Sequence, residues 1–251
     1  MSHHIVEVSD LRYSYPDGTK ALRGVSFRIT HGESVAVVGE NGAGKSTLLL
    51  HLNGYLTPQH GSVRIGDYPL TKDTLQEVRR TVGMVFQDPD DQLFMPTVRE
   101  DVAFGPLNLG LPVKEVEERV KAALERVGAS GLRDRAPYHL SGGQKRAVAI
   151  ATVLAMSPDI LVMDEPSSNL DPGARRRLIN LLHSFQHTKI IATHDLDLVL
   201  DLCRRTIVFH QGKLAADGPT EEIFRDGALL EACGLERIAR LKPCPVCGNE
   251  M

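Results

Sequence analysis

Hydrophobic and polar positions along this chain form two kinds of strand pattern. Near the N-terminus they alternate over 5–8, 25–29 and 61–66, as in half-buried antiparallel strands, so we predict a small antiparallel sheet there. A second set of segments is apolar on both faces, as buried parallel strands are. These segments cover residues 34–38, 82–86, 160–163, 189–192 and 206–209.

Helical periodicity separates several of these apolar segments, over 44–53, 173–184 and 196–203. Alternation of strands and helices predicts right-handed crossovers and a mainly parallel sheet. Between residues 88 and 157 the strand pattern is replaced by apolar residues at three- and four-residue spacing, which predicts helices over 113–127 and 143–156. We therefore expect an α/β fold with an N-terminal antiparallel β subdomain and a helical subdomain, about 88–157, inserted into the parallel core.

Composition narrows the class of protein. The 251 residues are 42% hydrophobic and 24% charged, which is typical of a globular chain, and the net charge of −3 gives no general attraction to nucleic acid. No apolar stretch approaches the roughly 20 residues of a membrane-spanning helix, and the N-terminus lacks the pattern of a signal peptide. We expect any membrane role to be peripheral and no nucleic-acid partner.

A glycine-rich stretch directly after the strand at 34–38 carries the clearest chemical pattern. Glycines let backbone N–H groups converge on an anion at the start of the following helix, because no Cβ obstructs the turn. Lys45 can reach the β- and γ-phosphates, and the Ser46 hydroxyl can ligate Mg²⁺. The order of strand, loop and helix argues against a chance glycine turn and predicts a P-loop NTPase core that binds a nucleoside triphosphate. The loop residues are Gly39, Glu40, Asn41, Gly42, Ala43, Gly44, Lys45, Ser46 and Thr47.

Two carboxylates end the apolar strand at 160–163. Ligands in open α/β sheets bind at the carboxyl ends of the strands, so Asp164 and Glu165 should lie beside the phosphates. We predict that Asp164 holds Mg²⁺ and that Glu165 is the general base for the attacking water. On its own an acidic strand end would carry no chemistry; the phosphate loop changes that interpretation.

The segment Leu140-Ser141-Gly142-Gly143-Gln144 resembles the signature sequence of ATP-binding-cassette (ABC) ATPases. A serine and two glycines at a helix start form a second anion-receiving cap, and one chain does not need two caps for one triphosphate. The resemblance implies that Ser141, Gly142, Gly143 and Gln144 face the γ-phosphate of ATP held by a second ABC ATPase subunit, in a head-to-tail dimer. An ordinary serine N-cap would explain Ser141 alone.

Further positions match the same family, and the resemblance covers most of residues 5–225. It implies that Tyr15 stacks on adenine, with Tyr13 as the alternative. It also implies that Gln87 senses Mg²⁺ and the attacking water, that Asp171 lies in a loop crossing the dimer interface, and that His194 contacts the γ-phosphate. The implied Mg²⁺ ligands are Ser46, Gln87 and Asp164.

A narrower resemblance lies between residues 85 and 110, where the sequence is similar to the ATPases of energy-coupling-factor transporters, especially the cobalt/nickel group. It implies an ATP-hydrolysing subunit of an importer, bound peripherally at the cytoplasmic face of the cell membrane. Integral membrane subunits would dock near 87–110, and the second ATPase would be an identical copy or a paralogue. An ATPase of another transporter type is the alternative. A nucleic-acid ABC ATPase is less expected, because too few residues separate Gln87 from Ser141 for a long coiled coil.

We expect an ABC ATPase domain over 1–227 and a C-terminal tail over 228–251. The tail contains Cys244-Pro245-Val246-Cys247, whose thiolates could bind Zn²⁺. The pair supplies only two ligands, so Cys233 or a second chain would have to complete the site. An exposed tail without metal is the first expectation, and a zinc site is the second.

Overall fold

The computed structural model describes residues 6–238, in which the strands form two sheets. In chain order the strands are β1 (Val6–Ser14), β2 (Lys20–Ile29), β3 (Ser34–Val38), β4 (His60–Ile65), β5 (Tyr68–Pro69), β6 (Val82–Val85), β7 (Ile160–Asp164), β8 (Thr188–Ala192), β9 (Arg205–His210) and β10 (Lys213–Pro219). The first sheet is antiparallel, in the order β2–β1–β4–β5. The second has the order β10–β9–β3–β8–β7–β6; its strands are parallel except for β10. The predicted α/β class, with an N-terminal antiparallel sheet, is confirmed.

Helices cover the parallel sheet and form the predicted insertion. In chain order they are α1 (Lys45–Leu52), α2 (Leu75–Thr81), α3 (Val98–Asn108), α4 (Val113–Arg126), α5 (Gly142–Leu154), α6 (Pro172–Ser184), α7 (Leu196–Leu202), α8 (Thr220–Arg225) and α9 (Gly227–Ala232). No helix within the described range is long and apolar enough to cross a bilayer.

The parallel strands bury alternate residues in two different cores. On β3, Val35 and Val37 face the antiparallel sheet and α1, whereas Ala36 and Val38 face the helical layer on the other side. This double burial is the reason why the strand sequence is continuously apolar. The core that lies between the two sheets also fixes α1, through Leu48 among others, directly behind the phosphate loop.

The inserted helices α3, α4 and α5 lie between β6 and β7 in the chain and pack on one another. Helix α4 follows the predicted amphipathic pattern, with Val116, Val120 and Leu124 buried. Helix α3 was not predicted, because Gly105 and Pro106 within it lower its intrinsic helix propensity. Its N-cap, Thr97, accepts a hydrogen bond from the backbone N–H of Glu100.

Past the boundary expected at 227, the chain still packs on the core. Leu230, Cys233 and Ile238 are buried in the same cluster as the helical layer. Cys244 and Cys247 lie outside the described residues.

Candidate functional site

The carboxyl ends of four neighbouring strands carry the predicted site residues. The strands β3, β8, β7 and β6 are adjacent and parallel, so their carboxyl ends meet at one edge of the sheet. They lead respectively into Gly39, His194, Glu165 and Gln87. Residues that are far apart in the chain are therefore brought to one crevice, as in open α/β sheets generally.

The phosphate loop turns between β3 and α1 in a conformation that requires glycine. Gly44 has φ 106°, and a Cβ there would lie 2.6 Å from the carbonyl oxygen of Ala21. At Gly39 a Cβ would lie 2.3 Å from the carbonyl oxygen of Phe209. Helix α1 starts after Gly44 without a side-chain cap, which leaves its first N–H groups to receive an anion.

Lys45 lies across this loop. Its Nζ donates to the carbonyl oxygens of Gly39 (2.7 Å) and Glu40 (3.1 Å), and the residue is only 7% exposed. Burial lowers the pKa of Lys45, while the charges of Glu165, Asp164 and Glu40 act in the opposite direction. A buried ammonium beside helix N–H groups is suited to bind phosphate oxygens.

Asp164, at the end of β7, is buried, and its Oδ1 has no hydrogen-bond partner in the described protein. Burial raises the pKa of Asp164; the hydrogen bond from Ser46 lowers it and the charge of Glu165 raises it further. A buried carboxylate oxygen without a partner, beside a serine hydroxyl, fits the oxygen ligands that Mg²⁺ prefers. The side chain of Gln87 is exposed at the same edge of the sheet.

Glu165 follows Asp164 in a left-handed backbone conformation, with φ 46°. Non-glycine residues are rarely held there, and such strain is common at functional sites. Its Oε2 accepts hydrogen bonds from Thr193 Oγ1 (3.0 Å) and the backbone N–H of His194 (3.3 Å), and it lies 2.9 Å from His194 Nδ1. The Glu165 carboxylate is thus fixed and buried, while the His194 ring is 68% exposed.

Tyr15 lies beside the phosphate loop. Its hydroxyl is 3.0 Å from Thr47 Oγ1, and its ring is half-buried. Tyr13 packs behind it, with the two ring centroids 5.1 Å apart. Of the two tyrosines that the sequence left open, Tyr15 is therefore the one whose hydroxyl contacts the loop.

The signature residues begin helix α5. Ser141 and Gln144 form a reciprocal capping box, in which Gln144 N–H donates to Ser141 Oγ (3.4 Å) and Ser141 N–H donates to Gln144 Oε1 (3.0 Å). Ser141 and Gly142 are exposed. The signature lines a surface cavity of about 930 Å³ together with Asp171, and the described wall of that cavity does not include the phosphate loop.

Asp171 caps helix α6 by accepting from the N–H groups of Gly173 (2.8 Å) and Ala174 (2.9 Å). The bond from Ala174 is the largest cause that holds the pKa of Asp171 below its usual value. Pro172 then occupies the first helical position, where its missing N–H costs nothing.

Arg146 is a site residue that the sequence analysis missed. It is 4% exposed and donates from Nη1 to the carbonyl oxygen of Phe86 (2.7 Å) and from Nη2 to that of Gln87 (2.6 Å). Burial lowers the pKa of Arg146, and the charges of Asp88, Asp164 and Glu165 oppose this shift. An arginine five residues into a helix resembles a surface charge in the sequence, so no local pattern could have indicated its partners.

No group of three or more His, Cys, Asp or Glu side chains that could hold a metal ion is found among residues 6–238. Cys233 is buried beside Glu40, and burial is the main cause that raises the pKa of its thiol. The predicted zinc pair cannot be placed, because Cys244 and Cys247 lie beyond residue 238.

Comparison with known proteins identifies a family that this chain resembles. A family model described as ABC transporter matches residues 22–168. A putative ABC transporter ATP-binding protein of Geobacter sulfurreducens is 69% identical over 99% of this chain and 100% of its own length. The energy-coupling factor transporter ATP-binding protein EcfA of Methanothermobacter thermautotrophicus is 53% identical over 92% of this chain and 76% of its own.

A solved structure agrees in fold with the described residues. The cbiO1 protein of Clostridium perfringens, described as part of the ABC transporter complex cbiONQ, is 40% identical, with a TM-score of 0.79. The similarity covers 92% of this chain and 94% of that protein.

Proposed function

This chain belongs to the ABC transporter family, and we propose that it powers an energy-coupling-factor type importer by hydrolysing ATP. Its membership makes it an ATPase subunit of an ATP-driven transporter. The observation that carries the proposal is the meeting of Lys45, Asp164, Glu165 and His194 at the carboxyl edge of one sheet. The similarity to EcfA and cbiO1 supports the transporter type.

Within one chain, each side chain has a distinct task. Lys45 and the N–H groups at the start of α1 bind and orient the β- and γ-phosphates. Asp164, Ser46 and Gln87 would hold Mg²⁺, which neutralises charge on the phosphate oxygens when bound. Glu165 orients the attacking water and accepts its proton, and the exposed His194 ring, which lies beside Glu165, would contact the γ-phosphate.

A second subunit completes the site in this proposal. The signature helix start is exposed and carries helix N–H groups, yet it lies in a cavity apart from the chain's own phosphate loop. An anion-receiving cap placed in this way suits a phosphate held by another copy or a paralogue. Asp171 lies on the wall of the same cavity and would lie at that interface.

Membrane subunits would dock on the segment 87–110. Phe94 is 63% exposed there and contacts Phe104, which is 39% exposed, with ring centroids 5.0 Å apart. Leu107 on the same helix as Phe104 is 51% exposed. Exposed aromatic side chains grouped in this way are typical of protein interfaces. Docking here would hold the chain at the cytoplasmic face of the membrane.

The shared site is tested by mixing two inactive variants. Glu165→Gln removes the base from a chain's own site, and Ser141→Arg blocks the site of its neighbour. Each variant alone should be inactive. An equal mixture should recover about a quarter of wild-type activity, because about half of the dimers are mixed and one of the two sites in each mixed dimer is intact. A mixture as inactive as its components would contradict the shared site.

The substrate proposal is cobalt or nickel ions, from the similarity of the segment 85–110 to that transporter group. Uptake of radioactive cobalt and nickel by cells that carry the chain with its co-purifying membrane proteins should stop with Glu165→Gln. If membrane proteins co-purify with the chain but the cells take up neither metal, the ATPase role stands and cobalt and nickel are excluded as substrates. Co-purification with an export system instead would contradict the importer.

A further inference from the structure

Three aromatic side chains and Thr47 form a closed ring of contacts near the phosphate loop, in which Thr47 takes part with its hydroxyl on one side and its backbone carbonyl oxygen on the other. Tyr15 Oη is 3.0 Å from Thr47 Oγ1, and the carbonyl oxygen of Thr47 is 2.7 Å from His51 Nδ1. The His51 ring meets the Tyr13 ring edge to face, with centroids 4.9 Å apart. Tyr13 in turn meets Tyr15 at 5.1 Å and an interplanar angle of 89°. Tyr15 is therefore held both at its hydroxyl and at one side of its ring.

The members of the ring differ in how firmly they are fixed. His51 is fully buried and Thr47 is 6% exposed, both within helix α1. Tyr13 belongs to β1, where it pairs with Leu22 of β2, and it packs against the core between the sheets. Tyr15 comes after the end of β1, and its side chain contacts the hydroxyl of Thr47 and the ring of Tyr13.

The backbone of Tyr15 is also held, by a short turn. Its N–H donates to the carbonyl oxygen of Thr19 (2.9 Å), and its own carbonyl oxygen accepts from Gly18 (2.9 Å). With the backbone fixed, the remaining freedom of Tyr15 lies in its side-chain torsions. Immobilising such a side chain before a ligand arrives removes an entropic cost from binding.

We propose that Tyr13 and His51 are positioning residues that hold the Tyr15 ring, through direct contact and through Thr47, in the orientation that receives the adenine of ATP. This inference rests on the proposed function and on the expectation, from the family resemblance, that Tyr15 stacks on the base. Thr47 belongs to the phosphate loop, so the same hydroxyl connects the base-binding ring to the phosphate-binding helix. Tyr13 and His51 act through Tyr15 and do not touch the nucleotide.

The test compares ATP with inorganic tripolyphosphate, which has phosphates and no base. Affinities of the full chain for both ligands are measured by calorimetry. Tyr15→Leu should weaken ATP about tenfold, the usual scale for losing an aromatic stack on a base, and leave tripolyphosphate unchanged. Tyr13→Leu should weaken ATP several-fold, also without effect on tripolyphosphate, and Tyr13→Phe should restore wild-type affinity because the ring is retained.

The ATP affinity of a double variant shows whether Tyr13 acts through Tyr15. The double variant Tyr13→Leu/Tyr15→Leu should bind ATP no more weakly than Tyr15→Leu alone, since Tyr13 has nothing left to position. Additive losses, or an equal loss of both ligands in Tyr13→Leu, would overturn the proposal. His51→Gln provides a second route if Tyr13→Leu fails to fold, and Tyr55→Leu, at a tyrosine 66% exposed, is the matched control.

The outcomes separate this inference from the function on which it rests. If the wild-type chain binds neither ligand, the ATPase proposal itself is wrong. If Tyr15→Leu leaves ATP affinity unchanged, Tyr15 does not stack on adenine and the positioning role falls with it. If only Tyr13→Leu and His51→Gln are without effect, the positioning role alone is wrong.

Discussion

The guanidinium of Arg146 lies 2.6 Å from the carbonyl oxygen of Gln87, so the helix that begins with the signature is bonded directly to the segment that follows β6. Gln92 adds a second connection, since its Nε2 donates to the carbonyl oxygen of Ala149 (2.8 Å) and its Oε1 accepts from the N–H of Phe86 (3.2 Å). Movement of α5 would therefore carry the Gln87 segment with it.

Arg146→Met should lower the free energy of unfolding by on the order of 3 kcal/mol. Hydrogen bonds from a charged group contribute about 1.5–3 kcal/mol each, and two partly buried carbonyl oxygens lose their donors. Urea unfolding measures the loss. Lys145→Met is the control, because its ion pair with Asp90 is partly exposed and should contribute less than about 1 kcal/mol. Equal losses in the two variants would contradict a special role for Arg146.

Glu165→Gln should reduce ATP turnover by about 10²–10⁴-fold, which is the usual contribution of a general base. ATP binding should persist, because the amide keeps the shape of the carboxylate and Lys45 is untouched. Turnover and binding are measured on the same preparation. Glu33→Gln, at the opposite end of the sheet, should retain full activity. Normal hydrolysis by Glu165→Gln would show that another group is the base.

Lys45→Ala should weaken the binding of ATP and of tripolyphosphate together. The loss of the only ammonium that the structure places on the phosphate loop removes charge-assisted bonds to phosphate oxygens. Fluorescent nucleotide titration in competition with tripolyphosphate measures both affinities. If Lys45→Ala kept its affinity for tripolyphosphate, the phosphates would have to bind at a place other than the loop that contains Lys45.

His51 makes the stability of the chain depend on pH. Burial lowers the pKa of His51 below its usual 6.5, so the unfolded chain binds more protons in the window below pH 6.5. The free energy of unfolding should therefore be fully retained above pH 6.5 and should fall as the pH decreases, by at most about 1.4 kcal/mol per pH unit for one proton.

The measurement compares wild type with His51→Gln by denaturant unfolding between pH 7 and pH 5. Asp164 and Asp101 have raised pKa values and change stability in the opposite sense, but both variants share them, so the difference isolates His51. A difference that does not vary with pH would contradict the prediction.

Cys203 should be unreactive in the folded chain. Burial raises its pKa to about 12, so almost no thiolate is present near neutral pH. In a Cys244→Ser/Cys247→Ser variant, which leaves only Cys203 and the buried Cys233, a thiol reagent should react slowly until denaturant is added. Rapid reaction at pH 8 would show that this region opens. Metal analysis of the same variant beside wild type tests the zinc pair.

Much of the fold followed from local patterns. The apolar strands and helices α1, α4, α5, α6 and α7 were predicted within a few residues, because burial on both faces or on one stripe leaves a periodic sequence. Helix α3 and strand β10 were missed for local reasons as well. The first contains Gly105 and Pro106, and the second, Lys213–Pro219, alternates only partly and includes Gly218.

The residues of the candidate site also fall into two groups, those that local sequence patterns indicate and those that depend on contacts between distant parts of the chain. Lys45, Asp164 and Glu165 could be predicted as site residues from the sequence, because each directly follows an apolar strand or lies in a short glycine-rich motif. Arg146 was not predicted, because the two carbonyl oxygens that accept its hydrogen bonds lie 60 and 59 positions earlier in the chain. The contacts around Tyr15 were not predicted for the same reason, since Thr47 is 32 residues away in the chain.

The amino-acid sequence by itself determined the chemistry of this chain and the local structures that present it: a glycine turn before α1, carboxylates after β7 and a capped start to α5. Only the tertiary structure decided that β3, β8, β7 and β6 lie side by side, so that the glycine turn and the carboxylates share one edge, while Ser141 and Gln144 line a cavity whose described wall does not include the phosphate loop. The physical reason is that residue type and spacing fix what a segment can do alone. Strand order, burial and long-range hydrogen bonds depend on which apolar faces pack together, and no single segment contains that information.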